Sequence, residues 1–168
     1  MRVAVTGTPG TGKTTATDHL DTDFDVVHLN DLIREEGLAT GEDPDRGSLV
    51  ADIDALRERL ADREDAIIES HLAHHLDADR VVVLRCHPET LRERLLDRGE
   101  DESKADENAE AEALDVILSE AVNAHGLDSV YEIDTTDRTP EEVAADIEAV
   151  IAGERAPSAG EVEFLDYL

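Results

Sequence analysis

Nine residues near the amino end, Gly7-Thr8-Pro9-Gly10-Thr11-Gly12-Lys13-Thr14-Thr15, constrain this chain more than any other stretch. They fit G-x-x-x-x-G-K-[ST], the pattern of a loop that cradles phosphates, provided a strand precedes it and a helix follows. Arg2-Val3-Ala4-Val5-Thr6 reads as a buried strand rich in β-branched residues, and Thr14 to Leu20 can continue as a helix. The glycines let the backbone approach a polyphosphate and turn its N–H groups toward it. The start of the helix adds positive partial charge. Lys13 is a flexible point charge for the β- and γ-phosphates, and the Thr14 hydroxyl is a hard oxygen ligand suited to Mg²⁺. Gly10, Thr11, Gly12 and Thr15 complete the candidate cradle. The competing reading is a plain glycine-rich turn, which would not require all four fixed positions together.

A chain of 168 residues is one domain by length. It has no run of 18 apolar residues, so no membrane span is expected. It opens on a strand rather than a charged segment with an apolar stretch, so no signal peptide is expected. Cys86 is the single cysteine, which excludes an internal disulfide and fits a reducing, cytoplasmic location. The 43 acidic residues outnumber 15 basic ones, for a net charge of −28. The acid is interleaved with apolar periodicity, which argues for a salt-adapted acidic surface rather than a disordered tail. In ~1 M salt the Debye length falls to about 3 Å, and the self-repulsion of such a surface is screened. The same charge argues against unassisted binding of bare nucleic acid. Only two lysines occur, Lys13 and Lys104, beside thirteen arginines. If composition pressure removed dispensable lysines, Lys104 is a candidate for the same site as Lys13.

Along the chain, Asp25-Val26-Val27-His28-Leu29 reads as a second strand, and Asn30 as the cap of a helix that Gly37 closes. Residues 41–47, with Pro44, read as a polar loop. A third helix is expected over 49–62 with Leu49, Ile53, Leu56 and Leu60 on its apolar stripe. Strands follow at Ala66-Ile67-Ile68 and Arg80-Val81-Val82-Val83-Leu84. Pro88 opens a helix with Leu91, Leu95 and Leu96 inward, and Gly99 ends it. Arg92 and Arg94 read as surface arginines paired with Glu89, Glu93 or Asp97. Residues 100–108 read as a mobile polar loop, followed by one long helix to about His125 with Leu114, Ile117, Leu118 and Ala121 on one face. Val130-Tyr131-Glu132-Ile133 is the last strand, and Thr139-Pro140-Glu141-Glu142 a capping box for the final helix. Short strands alternating with helices predict parallel βαβ units. An acidic tail, 154–168, follows a domain over 1–153. Phe164 and Leu165 are expected to pack back on that domain, the alternative being a partner-docking peptide.

The ordered set Gly7 to Thr15, Asp31-Leu32-Ile33-Arg34-Glu35-Glu36, Glu69-Ser70-His71, Val81-Val82-Val83-Leu84-Arg85, Arg92-Glu93-Arg94-Leu95, Arg98-Gly99, Lys104 and Glu107-Asn108-Ala109-Glu110-Ala111-Glu112 resembles the adenylate kinase isoenzyme 6 family. The resemblance covers residues 1–152, and the segment 94–112 is its specific part. It implies a P-loop nucleoside monophosphate kinase fold, an α/β sheet of five parallel strands in order 2-3-1-4-5 with helices on both faces. It implies an AMP-binding region over 30–62 and a lid over 99–108. Arg34 would grip the AMP phosphate, which suits a bidentate guanidinium. Glu69, where the family usually has Asp, would hold Mg²⁺ with Thr14, and His71 would orient a water or a phosphate oxygen. Arg98 and Lys104 would close over the triphosphate from the lid. Glu100 stands where the family often has an aromatic residue.

The resemblance further implies ATP, ADP and AMP as ligands, an additional ATPase activity, and a role in maturation of small ribosomal subunit precursors. The partner it implies is the platform ribosomal protein number eleven of that subunit. His71 with His74 and His75 has an alternative reading as a zinc site, although the spacing matches no standard zinc pattern. Three classes therefore compete: a kinase acting on AMP, a partner-stimulated ribosome-assembly ATPase, and a nucleotide-gated binding module. A small-metabolite kinase of the shikimate type fits Arg34 and the lid spacing less well.

Overall fold

The β-branched runs make one sheet, and the segments between them cover its two faces. The computed structural model describes residues 1–43 and 48–168. In chain order these form β1 (Arg2–Thr6), α1 (Lys13–Asp18), β2 (Asp25–His28), α2 (Leu29–Glu36), β3 (Ala39–Asp43), β4 (Ser48–Ala51) and α3 (Ile53–Leu60). There follow β5 (Ala66–Glu69), a 3₁₀ turn (Ala73–His75), β6 (Arg80–Arg85), α4 (Pro88–Asp97), α5 (Glu102–Ala113) and α6 (Val116–His125). The chain closes with β7 (Val130–Asp134) and α7 (Pro140–Ala152).

Five strands pair in the order β2-β5-β1-β6-β7, all parallel, with Val3 opposite Ile67 on one side and Arg80 on the other. Counted within the sheet this is 2-3-1-4-5. The labels differ because an antiparallel hairpin, β3–β4, stands between the second and third sheet strands. Pleat alternation divides the core. Val3, Val5, Ile67, Val82, Leu84 and Ile133 meet α7 through Val143, Ile147 and Val150. Ala4, Ile68, Val81, Val83 and Val130 face the other way, onto Leu29, Ile33, Leu56, Leu60, Leu118 and Ala121. Strands buried on both faces explain why they read as continuous apolar runs rather than as alternating ones.

Four expectations change. Asn30 lies within α2 and does not cap it; the helix starts two residues earlier than expected, at Leu29, with His28 at the cap position. The expected loop at 41–47 begins as strand β3, while 44–47, with Pro44, lie outside the described residues. The third helix starts at Ile53 because the Asp52 carboxylate accepts the Ala55 N–H and caps it, leaving Leu49 and Val50 to pair in β4. Leu56 and Leu60 are buried as expected, and the Leu49 side chain lies outside the described set.

The fourth change concerns the lid. Residues 102–108, expected as loop, are helical and form the first part of α5, with the Asp101 side chain accepting the Lys104 N–H. The inward face of α5 is Ala105, Ala109 and Ala113, fully buried at helical spacing. The expected long helix is instead two, because Asp115 adopts a left-handed conformation at φ 55° and directs its carboxylate to Arg85. Leu114, at the break, is 49% exposed.

The tail runs beside β7, the sheet edge. Ser158 N–H donates to the Val130 carbonyl, and the Glu132 carboxylate accepts the N–H groups of Gly160 and Glu161. Phe164 is buried near the Arg85 guanidinium, whereas Leu165 is half-exposed. An edge strand covered in this way is not open to pairing with another chain. Among the described residues, no helix is long and apolar enough to cross a membrane.

Candidate active site

The loop between β1 and α1 takes a shape that only glycine permits at two places. A Cβ on Gly7 would stand 2.6 Å from the Leu84 carbonyl oxygen, and one on Gly10 would meet Leu91 and Leu95 of α4 at 3.1–3.2 Å, at a φ of 97°. The loop is thus pressed onto the ends of β6 and α4. The first α-type bond of α1 runs from Ala16 N–H to the Gly12 carbonyl. Lys13, Thr14 and Thr15 therefore occupy the first turn, whose amides have no intrahelical acceptor.

A cavity of about 150 Å³ opens over this turn, lined by Pro9, Gly10, Gly12, Lys13, Thr14, Thr15, Asn30, Glu69, His71 and Arg98. Lys13 is only 8% exposed, and its Nζ donates to the Thr8 carbonyl at 3.2 Å. Burial lowers its pKa to about 8, assisted by Arg98 and opposed by Glu69 and Glu112. Thr14 Oγ1 donates to Glu69 Oε1 at 2.9 Å, and the same oxygen lies 2.8 Å from His28 Nδ1. His28 Nε2 in turn stands 3.3 Å from Asp18, so an Asp18–His28 pair steadies the buried Glu69 carboxylate. Burial, with Lys13 nearby, lowers the His71 pKa to about 4, which leaves a neutral imidazole at ordinary pH.

The donor set fits a hard dication. A hydroxyl and a carboxylate oxygen 2.9 Å apart, beside a lysine that can hold phosphate oxygens, match the preference of Mg²⁺ for oxygen ligands shared with a nucleotide.

A second cavity, about 270 Å³, adjoins the first across Gly12 and Thr15 and is lined by Thr11, Ala16, Arg94, Thr135, Arg138, Pro140 and Val143. Arg94 does not pair with the acids of its own helix. It donates to the carbonyls of Gly10, Thr135 and Thr136, tying α4 to the phosphate loop and to the segment after β7. Arg92 instead pairs with Asp106 across α4 and α5.

Of the residues singled out in the sequence, Gly10, Gly12, Lys13, Thr14, Thr15, Glu69, His71 and Arg98 come together in the first cavity, and Thr11 lines the second. Arg34 and Lys104 line neither. Arg34 is exposed, 4.0 Å from Asp31, and Lys104 lies 3.8 Å from Glu100.

Several contributors carry no site role in the sequence reading: Asn30, read as a helix cap, Arg94, read as a surface arginine, His28, and the pair Arg85 and Glu112. Glu112 accepts the Thr8 hydroxyl at 2.9 Å, the Cys86 N–H at 2.8 Å and the Arg85 Nε–H at 3.2 Å. Arg85 also binds Glu132 and Asp115, so a buried ionic network holds the outer wall of the phosphate loop. Arg85, a charge closing the run Val81-Val82-Val83-Leu84, was the available signal for a buried pair; its partners lie 27 to 47 positions away.

A family model described as an AAA domain matches residues 3–115. A protein of Natronomonas pharaonis named "Putative adenylate kinase" is 68% identical over 168 residues, covering both chains fully. Similarly named proteins are 65% identical over 169 residues in Halobacterium salinarum and 46% identical over 169 residues in Methanothermobacter thermautotrophicus, the latter covering 99% of this chain and 98% of the relative. The fold also resembles a solved shikimate kinase of Bacteroides thetaiotaomicron, with a TM-score of 0.59 at 18% identity, over 91% of this chain and 98% of the other.

Proposed function

The chain belongs to the AAA-domain family and to the archaeal group whose members carry the adenylate kinase name, and from that premise we propose that it is a nucleoside monophosphate kinase acting on AMP. It moves the γ-phosphoryl of ATP to AMP, forming two ADP. The observation that carries this reading is the juxtaposition of a polar cavity containing Lys13, Thr14, Glu69 and Arg98 with a less polar one beside Ala16, Pro140 and Val143. The first suits the phosphates and the second the donor base.

Thr14 and Glu69 would hold Mg²⁺, which supplies charge neutralisation at the phosphates. Lys13 and Arg98 bind the non-bridging oxygens and stabilise the charge that spreads over the transferred group. His71, being neutral, offers a hydrogen bond to an acceptor oxygen without adding charge. Arg34 and Lys104 reach the phosphates only when the 30–62 and 99–108 regions close, which excludes water and completes the set of cations. The transfer is direct and in line, with positioning and charge as its sources of rate.

A second reading rests on His71 and Glu69, which line the cavity together and can orient a water in place of AMP. In that mode the protein hydrolyses ATP. The resemblance to the isoenzyme 6 family extends this to a cytoplasmic role in small-subunit maturation with the platform ribosomal protein number eleven.

A coupled ADP assay in molar KCl separates the readings. Robust ADP formation only when AMP accompanies ATP supports the kinase. Stimulation of ATP hydrolysis by the ribosomal protein supports the second reading, and tight nucleotide binding without product defeats both. Lys13→Ala is expected to abolish either activity, and a mutant retaining turnover would remove Lys13 from the mechanism.

A further inference from the structure

Away from the nucleotide cavity, three side chains from two elements converge. His74 and His75 close the 3₁₀ turn that follows β5, and Glu120 lies on α6. Glu120 Oε2 is 3.4 Å from His74 Nε2 and 3.8 Å from His75 Nε2, and the three candidate ligand atoms all fall within 4.8 Å of one another. The zinc reading of the sequence grouped His71 with these two histidines. The structure turns His71 into the nucleotide cavity and supplies Glu120 in its place.

The surroundings suit a ligand set. His74 is 1% exposed, while His75 and Glu120 are partly exposed, so the cluster is anchored on one side and open to solvent on the other. His74 Nδ1 lies 2.7 Å from Thr6 Oγ1 at the end of β1, and His125 Nε2 donates to the His74 carbonyl at 2.8 Å. When His74 Nδ1–H donates to the Thr6 hydroxyl, the lone pair at Nε2 faces the Glu120 carboxylate. A cation between them would convert that repulsion into coordination. Fixing one ring nitrogen by a hydrogen bond while the other ligates is the usual support of a metal-binding histidine.

We propose that His74, His75 and Glu120 bind a borderline transition-metal dication, with Zn²⁺ or Co²⁺ as the matching chemistry. Two imidazole nitrogens and one carboxylate oxygen favour such ions over Mg²⁺ or Ca²⁺, and the open side leaves a fourth position for water. The ion ties the turn after Glu69-Ser70-His71 to α6 and has no part in phosphoryl transfer. The many surface carboxylates attract cations only diffusely, and molar KCl screens that attraction without removing a nitrogen-ligated site.

The test uses the full chain, stripped with chelator, in molar KCl with excess Mg²⁺ to occupy oxygen sites. Co²⁺ is titrated and followed by its visible absorption, then displaced with Zn²⁺. The expected result is saturation at one Co²⁺ per chain, with affinity reduced at least about tenfold in both His75→Ala and Glu120→Gln, since ligand loss should cost no less than loss of a supporting residue. Both side chains are partly exposed, and unchanged far-ultraviolet circular dichroism with unchanged Mg-ATP binding shows that the variants fold. Absence of saturable absorption, or saturation unaltered in both variants, overturns the proposal.

Discussion

Burial makes Lys13 a weaker base than a surface lysine, and this has a measurable consequence. Its pKa of about 8 means that the nucleotide-free protein loses the cation as pH rises through that value. The phosphates need the protonated form, so kcat/KM for ATP should be flat below about 8 and fall about tenfold per pH unit above it, because kcat/KM reports the free protein. In Lys13→Arg the alkaline limb should vanish, since a guanidinium stays charged. An alkaline limb kept by that variant would assign the titration to another group. His71 is the opposite case: already neutral above about 4, it contributes no limb near neutrality. Lys13, Thr14 and the glycines were legible in the sequence because the loop is one contiguous piece of chain. His28, Asn30 and Glu112 were not, because their partners are distant in the chain: Glu112 accepts the Thr8 hydroxyl from 104 positions away, His28 meets Glu69 across 41 positions, and Asn30 accepts the Ser70 hydroxyl across 40.

Among the elements, α5 departs furthest from its sequence reading. Its segment is so polar that it reads as a loop, yet Asp101 caps it and three alanines bury a narrow stripe. Alanine has high helix propensity and allows close packing, so a small-residue stripe can carry a helix that larger apolar residues would usually announce. If residues 99–108 close over the nucleotide as proposed, α5 carries Lys104 on a helix rather than on a loose arm. Lys104→Ala should therefore lower kcat more than it raises KM, because the charge acts after closure. A change confined to KM would show that Lys104 serves binding alone. The β3–β4 hairpin escaped notice for a different reason: it is short, and its Thr, Gly, Glu and Asp residues carry little apolar alternation. Pro88 opening α4 and Thr139 capping α7 act within one turn of chain, which is why local signals reveal them, whereas the Asp52 cap of α3 was obscured by the apolar Leu49 ahead of it.

At the scale of the whole molecule, the net charge of −28 sets the conditions under which the fold persists. Self-repulsion acts over about 10 Å at 0.1 M salt but only about 3 Å at 1 M. The melting temperature should therefore rise on going from dilute buffer to molar KCl, and one that did not change would count against a salt-adapted surface. Inside, the charges are paired rather than dispersed: Arg85 joins Glu112, Glu132 and Asp115, and through Glu132 the network reaches the tail amides. The chain by itself determined the parallel sheet, the phosphate loop, the Pro88 start of α4 and the capping box of α7, because each is set by periodicity or spacing within a few residues. Only the tertiary structure decided that Glu132 holds the tail, that Arg94 clasps the loop backbone and that Glu120 meets two histidines. Those pairings join distant segments, and no local pattern records which partner a buried charge will find.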